Sequence, residues 1–225
     1  MSSITKNIEK LENELKPYQA QLIAVSKTKP VSDIMEAYEQ GFRDFGENKV
    51  QELSQKAETM PQDIQWHMIG HLQRNKVKYI APFVYLIHSI DSLKLLQEVD
   101  KQGKRVGRRL QCLLQIHIAE ESTKFGLSGE ELIELLQSEA LMKMDHIQIS
   151  GLMGMATFTP NESQIRKEFK SLKVLFDKAS EFNEQECIQI NILSMGMSND
   201  YKIALEEGST MIRVGSSIFG SRNYA

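Results

Sequence analysis

Short apolar runs alternate with helical segments along the whole chain, and this alternation limits the possible folds more than any other feature. Most of the runs are continuously apolar rather than alternating in polarity, which is typical of a parallel sheet covered by helices. Eight runs are predicted to be strands: QLIAV (21–25), FRDF (42–45), IQWHMIG (64–70), FVYLIHSI (83–90), LQCLLQIHI (110–118), IQISGLM (147–153), IQINIL (188–193) and TMIRVG (210–215).

Eight strand–helix units in 225 residues come close to the usual size of a TIM barrel. Ile4, Ile8, Leu11 and Leu15 follow helical spacing ahead of the first strand. We therefore predict an α/β fold, a single TIM (β/α)8-type barrel with an extra N-terminal helix, forming one domain over 1–225. A doubly wound open sheet is the main alternative, but the strand count is high and no G-x-G-x-x-G follows the first strand.

Composition limits the kinds of partner and the compartment that we expect for this chain. The formal net charge of −3 gives no reason to expect a nucleic acid. No apolar run reaches membrane-spanning length, and the N-terminus lacks the apolar core of a signal peptide, so we expect no membrane association. Cys112 and Cys187 each lie in an apolar run without metal or redox spacing. We expect buried thiols in a reducing compartment, and a cytoplasmic protein.

The chemistry of such barrels gathers at the carboxyl ends of the strands. The loops after the seventh and eighth strands are rich in small and hydroxyl residues, which suit a phosphate: Ser194, Gly196, Ser198, Gly215, Ser216 and Ser217. The glycine and serine content of either loop, taken alone, is explained equally well by the need to form a tight turn. Two such loops, at the two positions where barrels often bind phosphate, favour a phosphate site.

Two basic residues fall near the same rim. Lys27 follows the first strand directly, and Arg213 lies inside the last one. An arginine in a barrel strand faces the interior or pairs outward, and the strand pattern fits both. A lysine opposite a phosphate site suggests a Schiff base with a phosphorylated aldehyde, with Lys29 lowering the pKa of the Lys27 amine.

Seven motifs resemble, in order and spacing, those of the pyridoxal phosphate homeostasis protein family, the single-domain relatives of the alanine racemase barrel. They cover nearly the whole chain: AVSKTKP (24–30), FGENKVQE (45–52), WHMIGHLQRNK (66–76), STKFGL (122–127), GLMGMA (151–156), LSMGMSND (193–200) and GSTMIRVGSSIFGSRNY (208–224).

The resemblance implies fold type III and a covalent pyridoxal 5′-phosphate (PLP) on Lys27. It places the phosphate among Ser198, Gly215 and Ser216, and Arg213 opposite the pyridine nitrogen. The complete set of cofactor-binding residues that we expect on this basis is Lys27, Asn48, His67, Met153, Ser194, Met195, Gly196, Met197, Ser198, Arg213, Gly215 and Ser216.

The resemblance also implies a carrier or regulator in intracellular PLP homeostasis, without significant turnover, that hands PLP to apoenzymes. We expect a monomer. The alternatives are a PLP-dependent amino-acid racemase and, less favoured, a Schiff-base aldolase without cofactor. Racemases of this fold complete their site with a tyrosine from a second domain. Tyr201 and Tyr224 are local candidates here, for which surface or helix packing is the expected role.

A metal site is not expected. His67 and His71 have the i, i+4 spacing that binds zinc on a helix, but the surrounding residues predict a strand and a turn.

Overall fold

Eight parallel strands close into a barrel in sequence order, and the eighth pairs with the first. A computed structural model describes residues 3–120 and 125–220 of the chain. The predicted single barrel is confirmed. The strands are β1 Gln21–Val25, β2 Asp44–Glu47, β3 Gln65–Met68, β4 Leu86–Ile90, β5 Leu110–Ile116, β6 Ile147–Gly154, β7 Ile188–Ser194 and β8 Met211–Val214.

Helices cover the outside of the barrel. They are α1 Ser3–Leu15, α2 Val31–Glu39, α3 Val50–Thr59, α4 Val77–Ile80, α5 Leu93–Val106, α6 Gly129–Leu136, α7 Glu139–Met142, α8 Glu162–Ser180, α9 Tyr201–Glu206 and α10 Ser216–Phe219. Short 3₁₀ turns lie at Lys16–Tyr18 and Arg74–Lys76. Within the described ranges, no helix combines the length and the apolar character needed to cross a membrane.

Local sequence signals set the helix ends. Ser128 accepts a hydrogen bond from the Glu131 backbone N–H, and the Glu131 side chain accepts one from the Ser128 N–H, so α6 begins with a capping box. Helix α5 begins after Ser92, whose hydroxyl accepts from the Leu95 N–H, and ends at Gly107 with a φ of 65°.

Two predicted strands are shifted in the structure. The second begins at Asp44 rather than at residue 42, and the fourth at Leu86 rather than at residue 83. Phe42 and Val84 are buried all the same, because they pack in the outer core before the strands begin. Apolar character marks burial, and here burial extends beyond the strand hydrogen bonds.

The core has two layers. A large outer layer fills the space between strands and helices. A small apolar layer lies inside the barrel, formed by Ile23, Leu86, Leu113, Met153 and Met211. The interior also holds charged and polar side chains, and these lead to the candidate site.

Candidate functional site

A cavity of about 350 Å³ opens where β1, β2, β6, β7 and β8 give way to their loops. This is the carboxyl end of the barrel, where the sites of such folds lie, and the volume falls within the roughly 300–1,000 Å³ of small-molecule sites. Seven of the residues predicted from the sequence line it together: Lys27, Asn48, Met197, Ser198, Arg213, Gly215 and Ser216.

Lys27 lies half-buried in the loop that follows β1. The next residue, Thr28, has a φ of 63°, in the left-handed region that non-glycine residues seldom adopt. Its backbone N–H donates to Glu52 Oε1 at 2.6 Å. The loop therefore turns sharply directly after Lys27, and a side chain from α3 holds the turn.

A buried ionic network lies under this loop. The Lys56 ammonium donates to Glu47 Oε1 and to Glu52 Oε1, both at 2.7 Å, and to the Ser26 carbonyl oxygen at 2.9 Å. The Ser26 hydroxyl donates to the same Glu47 oxygen at 2.6 Å. Burial raises the pKa of the Glu47 carboxyl, and the Lys56 ammonium opposes that rise. Sequence reasoning missed this network because Lys56 has the ordinary appearance of a helix-surface lysine.

Lys29 ties the first loop of the barrel to the last helix. Its ammonium donates to the Phe219 carbonyl oxygen at 2.8 Å and to that of Gly220 at 3.3 Å. These carbonyls belong to the end of α10, where a positive charge is favourable. Lys29 also lines the cavity. The hypothesis that it tunes the Lys27 amine stays a prediction.

The strand pattern left an inward and an outward orientation open for the Arg213 side chain, and the structure has it pointing inward. It is buried within the barrel and reaches the cavity. Its guanidinium donates to the Ser194 carbonyl and hydroxyl oxygens at 2.8 and 2.5 Å, and to the Gly154 carbonyl oxygen at 3.1 Å. Burial lowers the pKa of Arg213 to about 10, while the Asp200 carboxylate acts in the opposite direction.

The two Gly/Ser loops meet at the wall of the cavity next to β1. The Gly215 backbone N–H donates to the Ser198 hydroxyl at 3.4 Å. Gly215 also packs against β1, because a Cβ placed there would lie 3.1 Å from the Val25 carbonyl oxygen. Asp200 shapes the other loop by accepting the Met197 N–H at 2.6 Å. The loops predicted to form a phosphate site therefore lie beside the end of β1, two residues before Lys27.

Close backbone contact positions Asn48 at the rim. A Cβ on Gly70 would collide with the Asn48 carbonyl oxygen, so the turn after β3 can pass there only with glycine at this position. Residues that sequence reasoning missed complete the lining: Val25, Ile69, Met155, Phe158, Asn199, Asp200 and Gly220.

Five predicted contact residues lie away from the cavity wall. Met153 belongs to the inner apolar layer, and His67 is fully buried within the barrel. Ser194 lies beneath Arg213, and its carbonyl and hydroxyl oxygens accept hydrogen bonds from the Arg213 guanidinium. Met195 packs in the outer core, and Gly196 has a φ of 96° at a close approach to α9. Their contact with a cofactor stays a prediction.

The remaining candidates have ordinary surroundings. His67 lies on β3 rather than on a helix, and among the residues described no cluster of three or more metal-ligating side chains occurs. The Tyr201 hydroxyl donates to Glu14 on α1, and burial raises its pKa to about 12. Tyr224 and part of the motif at 122–127 lie outside the described residues.

The chain forms a closed (β/α)8 barrel with a lysine after its first strand. The loops after its last two strands are rich in glycine and serine, which suit an anion. Together these features define a class of barrel proteins. The family described as alanine racemase, N-terminal domain, matches residues 1–223, so the chain belongs to that family. An alanine racemase from Clostridium difficile shares the fold, with a TM-score of 0.71 at 16% identity over 98% of this chain and 56% of its own.

Within that family, the chain belongs with the pyridoxal phosphate homeostasis proteins. It is 39% identical to the one from Vibrio alginolyticus over the full length of both chains, and 36% identical to the human one over 99% of this chain and 84% of that protein. The structure of PipY from Synechococcus elongatus PCC7942 with PLP bound has a TM-score of 0.84 and 35% identity, covering 96% of this chain and all of that one.

Proposed function

We propose that this chain binds PLP in the cavity at the carboxyl end of its barrel and serves as a cytoplasmic carrier or regulator of that cofactor. One observation carries the proposal: Lys27, Arg213 and the two Gly/Ser loops line the same 350 Å³ cavity. A solved relative whose structure has PLP bound supports it. The buried cysteines Cys112 and Cys187 fit a reducing compartment.

The side chains around the cavity suit each part of PLP. When bound, the cofactor supplies an aldehyde that condenses with a primary amine. We propose that Lys27 takes that aldehyde as a Schiff base. Ser198, Gly215 and Ser216 are positioned to hold the phosphate, since hydroxyl and backbone N–H groups bind such anions. Arg213 would face the ring nitrogen.

The residues that line the cavity support a carrier role rather than an enzyme. An arginine opposite the pyridine nitrogen disfavours ring protonation, so the ring is a weaker sink for electrons. Racemases of this fold share such an arginine, so the arginine alone does not separate a carrier from an enzyme. The groups that could transfer a proton to or from a substrate make that distinction. Among the described residues that line the cavity, none is a histidine, cysteine or tyrosine, and the Asp200 carboxylate already accepts the Met197 N–H. The Lys29 amine, a possible base, already donates to the carbonyls of α10.

Absorption and peptide mapping test the binding proposal. Purified protein incubated with PLP is expected to turn yellow, and borohydride reduction followed by mapping is expected to place the adduct on Lys27. Protein that stays colourless would overturn PLP binding and leave the cofactor-free aldolase reading. An adduct found only on Lys29 would refute the assignment to Lys27.

A second experiment separates carrier from racemase. The PLP-loaded protein is incubated with L- and D-amino acids in D₂O, and α-proton exchange is followed by NMR. We expect no exchange above free PLP at the same concentration. Exchange with many turnovers per protein would establish the enzyme reading instead. Transfer to a recipient is tested by the recovery of activity in a PLP-dependent apoenzyme.

A further inference from the structure

A continuous line of polar side chains runs through the barrel interior beneath the cavity. Arg213 Nη1 lies 2.5 Å from Ser194 Oγ, which lies 3.2 Å from His88 Nδ1. His88 Nε2 lies 3.0 Å from His67 Nδ1, and His67 Nε2 lies 3.1 Å from Asp44 Oδ1. Asp44 begins β2, so the line crosses from the carboxyl end of the barrel to its opposite end.

The charges at the two ends favour one direction for every hydrogen bond. The Arg213 guanidinium can only donate, and the Asp44 carboxylate can only accept. If the Ser194 hydroxyl accepts from Arg213 and donates to His88 Nδ1, then His88 Nε2 carries its proton and donates to His67. His67 Nε2 in turn carries a proton and donates to Asp44. One proton on each imidazole satisfies all four bonds.

The surroundings favour neutral rings. Both histidines are fully buried, and burial lowers the pKa of each, with Asp44 opposing the shift at His67. The groups that face them are His88, the Tyr85 ring and Asp44 around His67, and His67, Ser194 and the Arg213 charge around His88. A second positive charge beside Arg213 would be costly in this interior.

We propose that Asp44, His67, His88 and Ser194 form a directional hydrogen-bond relay that positions the Arg213 guanidinium at the floor of the cavity. The relay fixes both histidines as neutral Nε2–H tautomers and gives the Ser194 hydroxyl one orientation, with its oxygen towards Arg213. Its use in cofactor binding rests on the proposed function, since Arg213 is the group positioned to face the ring nitrogen. The relay residues do not need to touch the cofactor.

The first test needs no cofactor. Nitrogen-15 NMR of the histidine side chains in the PLP-free protein is expected to show His67 and His88 protonated at Nε2 and bare at Nδ1, unchanged between pH 6 and 8. His67→Gln and His88→Gln assign the signals. An Nδ1–H tautomer at either histidine, or titration of either in that range, would overturn the relay even if PLP binds as proposed.

The second test cuts the relay next to Arg213. Ser194→Ala removes the hydroxyl that the guanidinium contacts. We expect the absorption maximum of bound PLP and its pH dependence to shift, and its dissociation to accelerate about tenfold. Ser89→Ala is the matched control, because Ser89 is also a fully buried barrel serine but has no recorded partner for its hydroxyl within the described part of the chain.

The third test acts at the remote end. Asp44→Asn removes the terminal charge while keeping an acceptor, and we expect the nitrogen-15 shifts of His67 and His88 and the spectrum of bound PLP to change. The control is Asp63→Asn, whose carboxylate pairs with Arg43 on the surface. Unchanged histidine shifts in Asp44→Asn, or a spectrum of Ser194→Ala identical to that of Ser89→Ala, would refute the relay. Wild-type protein that never binds PLP would refute only the proposed function.

Discussion

Lys27 and Arg213 face one cavity but are held there in different ways. Arg213 is fixed by three hydrogen bonds to Ser194 and Gly154 inside the barrel. Lys27 is positioned by the loop around it, whose Ser26 and Thr28 are bound by residues of β2 and α3. The residue proposed to bond covalently therefore lies on a loop, and the residue proposed to set the electronic environment lies in the rigid interior.

This difference predicts an order of effects. Lys27→Ala is expected to abolish stable PLP retention, since the covalent link is lost. Arg213→Gln is expected to change the absorption spectrum of bound PLP more than its retention, because the phosphate and the Lys27 link persist. Gel filtration followed by spectroscopy measures both. Equal loss of retention in the two variants would contradict the order.

Buried neutral histidines predict sensitivity to acid. The unfolded chain binds a proton at each histidine near pH 6.5, whereas folded His67 and His88 have lowered pKa values. Stability from both histidines is therefore fully present above pH 6.5 and is lost progressively as pH falls from there towards their lowered folded pKa values. Glu47, with its raised pKa, changes stability in the opposite direction, because its contribution is lost as pH rises rather than as pH falls.

Denaturant unfolding of His88→Gln measures this contribution. The variant is expected to be less stable than wild type at pH 7.5, but its free energy of unfolding should fall less steeply between pH 6.5 and 5.5. His117→Gln, which replaces a histidine at an exposed position, serves as the control. A slope in His88→Gln equal to that of wild type would show that His88 is not held neutral.

Among the elements, α3 supports the site without lining the cavity. Lys56 reaches from this helix to Glu47 on β2 and to the carbonyl oxygen of Ser26 after β1. The pair is buried, so removing one partner leaves the other charge without compensation. The loop that carries Lys27 therefore depends on a helix packed outside the barrel.

Lys56→Met tests that dependence. We expect a loss of about 3–5 kcal/mol in the free energy of unfolding and weaker PLP retention. The double variant Glu47→Gln, Lys56→Met should recover much of the stability, because no charge stays buried. Lys173→Met is the control, since its exposed pair with Asp177 contributes within about 1 kcal/mol. Full wild-type stability in Lys56→Met would refute the structural role of the network.

The last strand–helix loop makes a second prediction at this scale. Gly215→Ala would press a methyl group against the Val25 carbonyl oxygen, so the ends of β1 and β8 must separate slightly. We expect about tenfold weaker PLP binding, or about 1.4 kcal/mol, with the fold retained. Gly129→Ala adds a methyl that meets only the flexible Leu175 side chain, and should bind as wild type does.

At the scale of the whole molecule, the closed barrel leaves no unpaired strand edge within residues 3–120 and 125–220 through which copies could join. We therefore predict a monomer. Light scattering during gel filtration should give a mass near 25.7 kDa with and without PLP. A mass near twice that value would contradict the prediction.

Much of the molecule could be predicted from sequence, and the limits have physical causes. Continuous apolar runs mark buried parallel strands, so the eight strands and the residues at their carboxyl ends followed directly. Side-chain direction along a strand repeats every two residues. This period predicts which face of the strand a residue lies on, but not how deep in the barrel its side chain lies. Met153 was expected among the cofactor-binding residues, whereas Met155, two residues further along, lines the cavity. His67 lies deeper for the same reason, and its pairing with His88 needs the closed barrel.

The contact of Lys29 with the carbonyls of Phe219 and Gly220 joins positions 190 and 191 apart in sequence. At ribosomal rates of roughly 5–20 residues per second, about 10–40 seconds pass between the synthesis of the two partners. Lys27, the amine proposed to bind PLP, is therefore synthesised well before the last loop, which is proposed to bind the phosphate. We therefore expect PLP to be retained only after the segment up to Gly220 has been synthesised and has folded onto the first loop.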